Sequence, residues 1–220
     1  MMRKSDARGA GRLEPGPFQA ARLTRSERRD ALLDSAVALV TSGDIHDVSM
    51  ETVAEMAGVS RPLVYKHFAN RDELLAAVYT REATSLHEEL AAEVAGAETV
   101  EEMYRTLIRG SLRAAAARGH VFAALRAAGG WSREVREEQH SRDRETVRAF
   151  SARAAREYHL DRRLAAAVCA ALLGAIDSLL AQWRVRPTSE HALVLEDVYM
   201  GMVAGGFAAV GAESSVMSSS

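Results

Sequence analysis

The chain has 220 residues, 48% of them hydrophobic, with a formal net charge of −2, four prolines and one cysteine. That apolar content suffices for one large domain or two small ones, and few prolines and aromatics beside abundant alanine argue against an all-β architecture and for helix. The lone Cys169 excludes an internal disulfide and a multi-cysteine metal site, and the near-neutral balance gives no global attraction to nucleic acid.

Residues 1–24 mix Gly, Pro, Arg and Ser without a period and read as a disordered arm. The arm is basic. Arg3, Lys4, Arg8, Arg12, Arg22, Arg25, Arg28 and Arg29 outweigh Asp6, Glu14, Glu27 and Asp30 over residues 1–30, which suits contacts to phosphate or a minor groove. The N-terminus has no apolar signal region, and no apolar run reaches a membrane span without polar interruption. A cytoplasmic protein with no membrane partner is expected.

An amphipathic helix over 28–42 turns Leu32, Ala36, Leu39 and Val40 inward. Two short helices follow at 50–57 and 61–67. Val53, Ala54 and Ala57 form the apolar stripe of the first, and Gly58 ends it where a left-handed backbone is cheap only for glycine. Val59 points inward, Ser60 sits where an N-cap is needed, and Pro62 falls in the first turn, where its missing N–H costs nothing. Leu63, Val64 and Phe68 give the second helix a buried side. Its outward side carries Arg61, Tyr65, Lys66 and His67, with no acid among them. A short helix with a buried back and a cationic, hydrogen-bonding front has the form that enters a DNA major groove.

The run Tyr65-Lys66-His67-Phe68, the start Asn70-Arg71 of a fourth helix and the glycine-turn spacing together resemble the DNA-binding domain of TetR-family transcriptional regulators, over roughly residues 26–80. By position, the resemblance implies DNA contacts at Arg61, Pro62, Leu63, Tyr65, His67 and Arg71. From the chemistry alone, Arg61 and Lys66 suit guanine edges and Pro62 and Leu63 suit thymine methyls. Tyr65, His67 and Arg71 suit phosphates, and Ser49 and Ser60, as helix caps, can offer a hydroxyl or backbone N–H to phosphate. Glu51 stands where some members carry a basic base-reading residue.

Further helices are predicted at 71–94, 98–118, 120–128, 132–158, 161–185 and 190–210, with breaks at Gly96, Gly119, Gly129-Gly130, Leu160-Asp161 and Arg186-Pro187-Thr188. At 100° per residue, Ala171, Gly174 and Ser178 share one face of the penultimate helix, opposite Leu172, Ile176, Leu179 and Trp183. Gly201 and Gly205 leave a similar shallow face on the last helix. Such faces suit a four-helix dimer interface, the rule in the resembled family. If the resemblance extends through the body, an effector pocket is expected there, with Tyr104, Leu107, Ser111, Phe122, Arg126, Trp131, Ile176 and Trp183 as candidate lining. His87, beside Glu88 and Glu89, reads as part of a solvated face.

The chain lacks a phosphate-binding glycine loop, a Gly-x-Ser-x-Gly motif and Cys/His metal spacing, so no enzyme, cofactor or metal centre is expected. The expected architecture is all-α. A three-helix DNA-binding domain with a helix-turn-helix spans 25–72, and a helical effector-binding and dimerisation domain spans 73–212. The flanks 1–24 and 213–220 are disordered in this reading. The expected partners are double-stranded operator DNA, a small hydrophobic effector and a second copy of the chain. The expected function is a repressor released from a palindromic operator. The alternative is a DNA-binding scaffold that recruits proteins without sensing a small molecule.

Overall fold

The computed structural model describes residues 24–43, 45–128 and 133–217, with the backbone alone at 120, 126–128, 134 and 212–217. Residues 1–23 of the expected arm and Trp131 lie outside the described residues, as does the side chain of Arg126, whereas Thr24 is described. Among the described residues there are eight α-helices and no strand. They are α1 (Arg25–Ser42), α2 (Met50–Met56), α3 (Arg61–Tyr65), α4 (Arg71–Ala95), α5 (Val100–Ala128), α6 (Arg133–Glu157), α7 (Arg162–Val185) and α8 (Ser189–Met217), with a 3₁₀ turn at Ile45–Asp47. The last helix runs past residue 212, the boundary expected from sequence.

Four helix starts have a capping side chain. Thr24 caps α1 in a reciprocal box with Glu27, Ser49 caps α2, Asn70 caps α4 and Asp161 caps α7. The chain turns between α6 and α7 at His159, which adopts a left-handed φ of 55°.

Two hydrophobic cores result. The head core joins Leu32, Leu33, Ala36 and Val40 of α1 to Val53 and Ala54 of α2, Val64 of α3 and Phe68. It also takes in Leu74, Leu75 and Val78 of α4, and Val121 and Leu125 of α5. The body core joins Tyr104, Ile108 and Leu112 of α5 to Phe150 of α6, Cys169, Leu172, Ile176 and Trp183 of α7, and Tyr199, Val203 and Phe207 of α8.

The expected break at Gly119 does not occur, since α5 is continuous through it. An interior glycine costs a helix only ~1 kcal/mol, and here both flanks are anchored. Leu112 is buried in the body core, and Val121 and Leu125 in the head core. At Gly110 the lack of a side chain matters more. A Cβ there would collide with Leu90 of α4, so the glycine permits the close approach of α4 and α5.

Helices α7 and α8 are long and apolar enough, by length and composition, to cross a membrane. Each buries one face in the body core and leaves the other uncovered. Ala171, Gly174, Ser178, Gly201 and Gly205 are all exposed, beside the exposed Val194, Val198 and Met202. A Cβ added at Gly174, Gly201 or Gly205 would meet nothing within 4 Å in this chain.

Two buried tyrosines predict opposite responses to the same substitution. The Tyr104 ring packs edge-on against Phe150 at 4.8 Å. Its hydroxyl has no nitrogen or oxygen partner among the described residues and meets only the Cys169 thiol, a weak partner. The Tyr199 hydroxyl donates to the Leu172 carbonyl at 3.0 Å. Burial pushes both phenols above their ordinary pKa. Tyr104→Phe is expected to be neutral or to stabilise the chain by up to about 1 kcal/mol, whereas Tyr199→Phe is expected to cost about 1 kcal/mol. Urea denaturation of both variants checks the contrast.

Candidate nucleic-acid interface and body cavity

The segment from α2 to α3 is set by its ends. The Ser49 hydroxyl accepts from the Thr52 N–H at 3.1 Å, and the Ser49 N–H donates to Thr52 Oγ1 at 2.9 Å. Gly58 takes the left-handed conformation its position predicts, with φ 64°, and Val59 N–H closes the turn on the Ala54 carbonyl at 2.9 Å. Pro62 lies in the first turn of α3. Ser60 precedes that helix, but its hydroxyl makes no capping bond; its carbonyl accepts from the Leu63 N–H at 2.9 Å. Helix α3 ends at Tyr65, two residues short of the expected 67. Phe68 N–H still bonds the Val64 carbonyl at 3.0 Å and seats the Phe68 ring in the head core.

This geometry brings Arg61, Pro62, Tyr65 and Lys66 together as an exposed front, with Leu63 and His67 half-buried at its edges. The Arg61 guanidinium lies 5.5 Å from the Tyr65 ring centroid, its Nη2 donates to the Tyr65 hydroxyl at 3.3 Å, and it pairs with the Glu51 carboxylate of α2. The acid-free front read from α3 alone therefore acquires an acid from α2. His67 is held below the ordinary imidazole pKa, first by burial and then by Arg25, Arg28 and Arg29 at the start of α1. Those arginines add positive potential beside the front, and Arg29 also lies 5.0 Å above the Phe68 ring.

Arg71, expected to contact phosphate, also has a task within the fold. Its Nε donates to the Val48 carbonyl and its Nη2 to the Ile45 carbonyl, both at 2.6 Å. The guanidinium fork of α4 thus holds the segment that leads into α2 and fixes the whole front against α4. Sequence could not show this, because the partners are backbone carbonyls more than twenty positions away.

A cavity of about 460 Å³ lies between α4, α5 and α6. Leu90 and Val94 of α4, Met103 and Leu107 of α5, and Phe150 of α6 supply its apolar wall, while His87, Glu145, Arg153 and Arg156 supply polar groups. A more open groove of about 500 Å³, lined by Glu98, Thr99 and Glu157, shares Arg153 and Arg156 with it. Of the expected lining, Leu107 is present. Tyr104, Ile176 and Trp183 are buried in the body core instead. Phe122 stands edge-on to Tyr79 at 5.8 Å, and Ser111 is half-buried on α5. His87, which reads as solvated from its acidic neighbours, lines the cavity because α6 folds against that face of α4. A sequence signal existed. Ala149, Arg153 and Arg156 follow helical spacing on α6, and Ala91 and Ala95 do so on α4, small residues that leave room between helices.

The Arg71 fork generates a prediction. Arg71→Lys retains the charge but cannot reach both carbonyls, so it should destabilise the chain by about 1–3 kcal/mol. DNA affinity should fall by a similar factor for every sequence, with base preference unchanged. Denaturation and binding to a panel of duplexes check this; unchanged stability with weakened DNA binding would make Arg71 a phosphate contact after all.

Comparison with known proteins gives this geometry its context. Residues 32–78, which run from α1 into α4, match the profile of bacterial regulatory proteins of the tetR family. The HTH-type transcriptional activator FasR of Mycolicibacterium smegmatis is 37% identical over 82 residues, 37% of this chain and 37% of that protein. The HTH-type transcriptional regulator BetI of Rhizobium meliloti is 33% identical over 87 residues, 40% of this chain and 43% of that protein. The chain thus spans about two fifths of the length of these relatives. The fold is shared over more of its length. The transcriptional regulator FadR from Bacillus subtilis, solved in complex with stearoyl-CoA, superimposes with a TM-score of 0.62 over 80% of this chain and 98% of that one, at 16% identity. Through its head, at residues 32–78, the chain is similar to the tetR family of bacterial regulatory proteins.

Proposed function

We propose that the chain is a ligand-responsive, cytoplasmic DNA-binding repressor that grips a palindromic operator as a homodimer and is released by an amphipathic effector in the α4–α5–α6 cavity. The observation that carries this reading is the course of α4. Its first turns bury Leu74, Leu75 and Val78 in the head core, and Arg71 clamps the approach to α2. Its last turns present His87, Leu90 and Val94 to the cavity. A ligand that displaces one end of an uninterrupted helix moves the other, and operator affinity changes by the difference in affinity for the two positions.

The cavity's size lies within the range of small-molecule sites. Its apolar wall suits a hydrocarbon portion, and Arg153 and Arg156, at the junction with the groove, suit an anionic end. The stearoyl-CoA held by the structurally similar FadR is a compound of that type. The uncovered faces of α7 and α8 support the dimer, since exposed apolar surface of this kind is stabilised by a second copy. Two heads read two half-sites, which one short recognition helix cannot. Glu196, buried on α8, accepts from Arg109 Nε at 2.8 and 2.9 Å and pairs with Arg105 at 3.4 Å, tying the cavity helix α5 to the uncovered helix α8.

The test starts with DNA selected from a random library and a panel of acyl thioesters, fatty acids and coenzyme A. Compounds that combine a hydrocarbon chain with an anionic end should raise the melting temperature and weaken operator binding ~30- to 150-fold over the same concentrations. Operator should weaken their binding by the same factor. A compound that binds tightly but equally with and without operator is no inducer, and one that tightens operator binding reverses the assigned sign of regulation.

A further inference from the structure

We propose that Glu51 is a specificity-determining residue of the DNA-reading front: together with Arg61 it reads one G·C pair in each half-site, Arg61 donating to guanine O6 and N7 while Glu51 accepts from cytosine N4. The inference rests on DNA binding by the head.

Glu51 lies in the first turn of α2, where any carboxylate favours the helix dipole, but it takes no part in the cap. The capping box of α2 is made by Ser49 and Thr52, with Thr52 Oγ1 also donating to the Asp47 carbonyl at 2.8 Å. Glu51 instead reaches across to α3 and pairs with Arg61, and the two side chains remain 45% and 56% exposed. Arg61 in turn rests on Tyr65, one turn further along the exposed face of α3. The carboxylate therefore shares the front that faces DNA.

An acid on that front opposes the phosphate polyanion unless DNA offers it a donor. In the major groove only cytosine N4 and adenine N6 donate. The guanidinium next to it requires acceptors, which guanine supplies in bidentate form through O6 and N7. Guanine O6 and cytosine N4 are neighbours on one base pair, so the Arg61–Glu51 pair can engage both without separating. An A·T pair sets the adenine N6 donor against the arginine. The carboxylate also occupies Arg61 in the free protein and thus weakens its attraction to phosphates of any sequence.

The experiment is selection from a random duplex library by the full chain and by Glu51→Ala, Glu51→Gln and Arg61→Ala. Glu51 is half-buried and outside the capping box, so the variants keep the fold, which melting curves check. Wild type should select G·C at one position per half-site. Glu51→Ala should lose about tenfold discrimination at that position alone while binding non-specific duplex more tightly. Glu51→Gln should move the preference there toward A·T, because an amide pairs with adenine N6 and N7. Arg61→Ala should relax the same position. Identical preferences at every position in wild type and both Glu51 variants would reduce Glu51 to a counter-ion and overturn the proposal. A folded wild type that selects no sequence would remove operator recognition itself and this proposal with it.

Discussion

Two helices are each fixed in two cores, and the rest of the molecule depends on that constraint. Helix α4 enters the head core through Leu74, Leu75 and Val78 and joins the body core through Val94. Helix α5 does the reverse, from Tyr104, Ile108 and Leu112 in the body to Val121 and Leu125 in the head. At 1.5 Å per residue, the 25 residues of α4 span roughly 37 Å. No glycine or proline interrupts α4, and Gly119 does not interrupt α5. Head and body are therefore distinct in their cores but mechanically joined. Gly110 brings the two struts close together where they pass the cavity, with Leu90 directly opposite.

The exposed front formed by α2 and α3 is held by this frame rather than by its own stability. Helices of seven and five residues are too short to persist alone. They are held from behind by Val53, Ala54, Val64 and Phe68, and from the side by the Arg71 fork. A mount of this kind couples the position of Arg61 and Tyr65 to that of α4. The charges on the front are arranged in two ways: Arg25, Arg28 and Arg29 add positive potential beside His67, while Glu51 pairs with Arg61.

Much of the head was legible in the sequence because its signals are local. Gly58, Pro62, Ser49 and Asn70 each mark a boundary by a conformation or cap that few residues provide. The exposed residues of α3 follow from helical spacing alone. Less was legible where the deciding partner is distant in the chain. The Ile45 and Val48 carbonyls that Arg71 holds lie more than twenty positions away from it. Ser60 looks like a cap although its hydroxyl makes no such bond. In the body, attention to aromatic residues favoured Trp183 and Tyr104, which fill the core. The open space lies instead where α4 and α6 present alanines, and a cavity is marked in sequence by what is small more than by what is large. Gly119 misled for a related reason: burial on both sides outweighs the propensity of one residue.

In the mechanism proposed above, occupancy of the cavity and the position of the head are coupled through α4. The most direct test fills the cavity without a ligand. Leu107 faces it from α5, and Leu107→Trp adds an indole to that space. The account predicts a folded head, judged by melting, and an operator affinity at least ~10-fold below wild type, which corresponds to ~1.4 kcal/mol of coupling. A folded variant whose cavity is filled in a crystal structure, yet which binds operator with wild-type affinity, would contradict it.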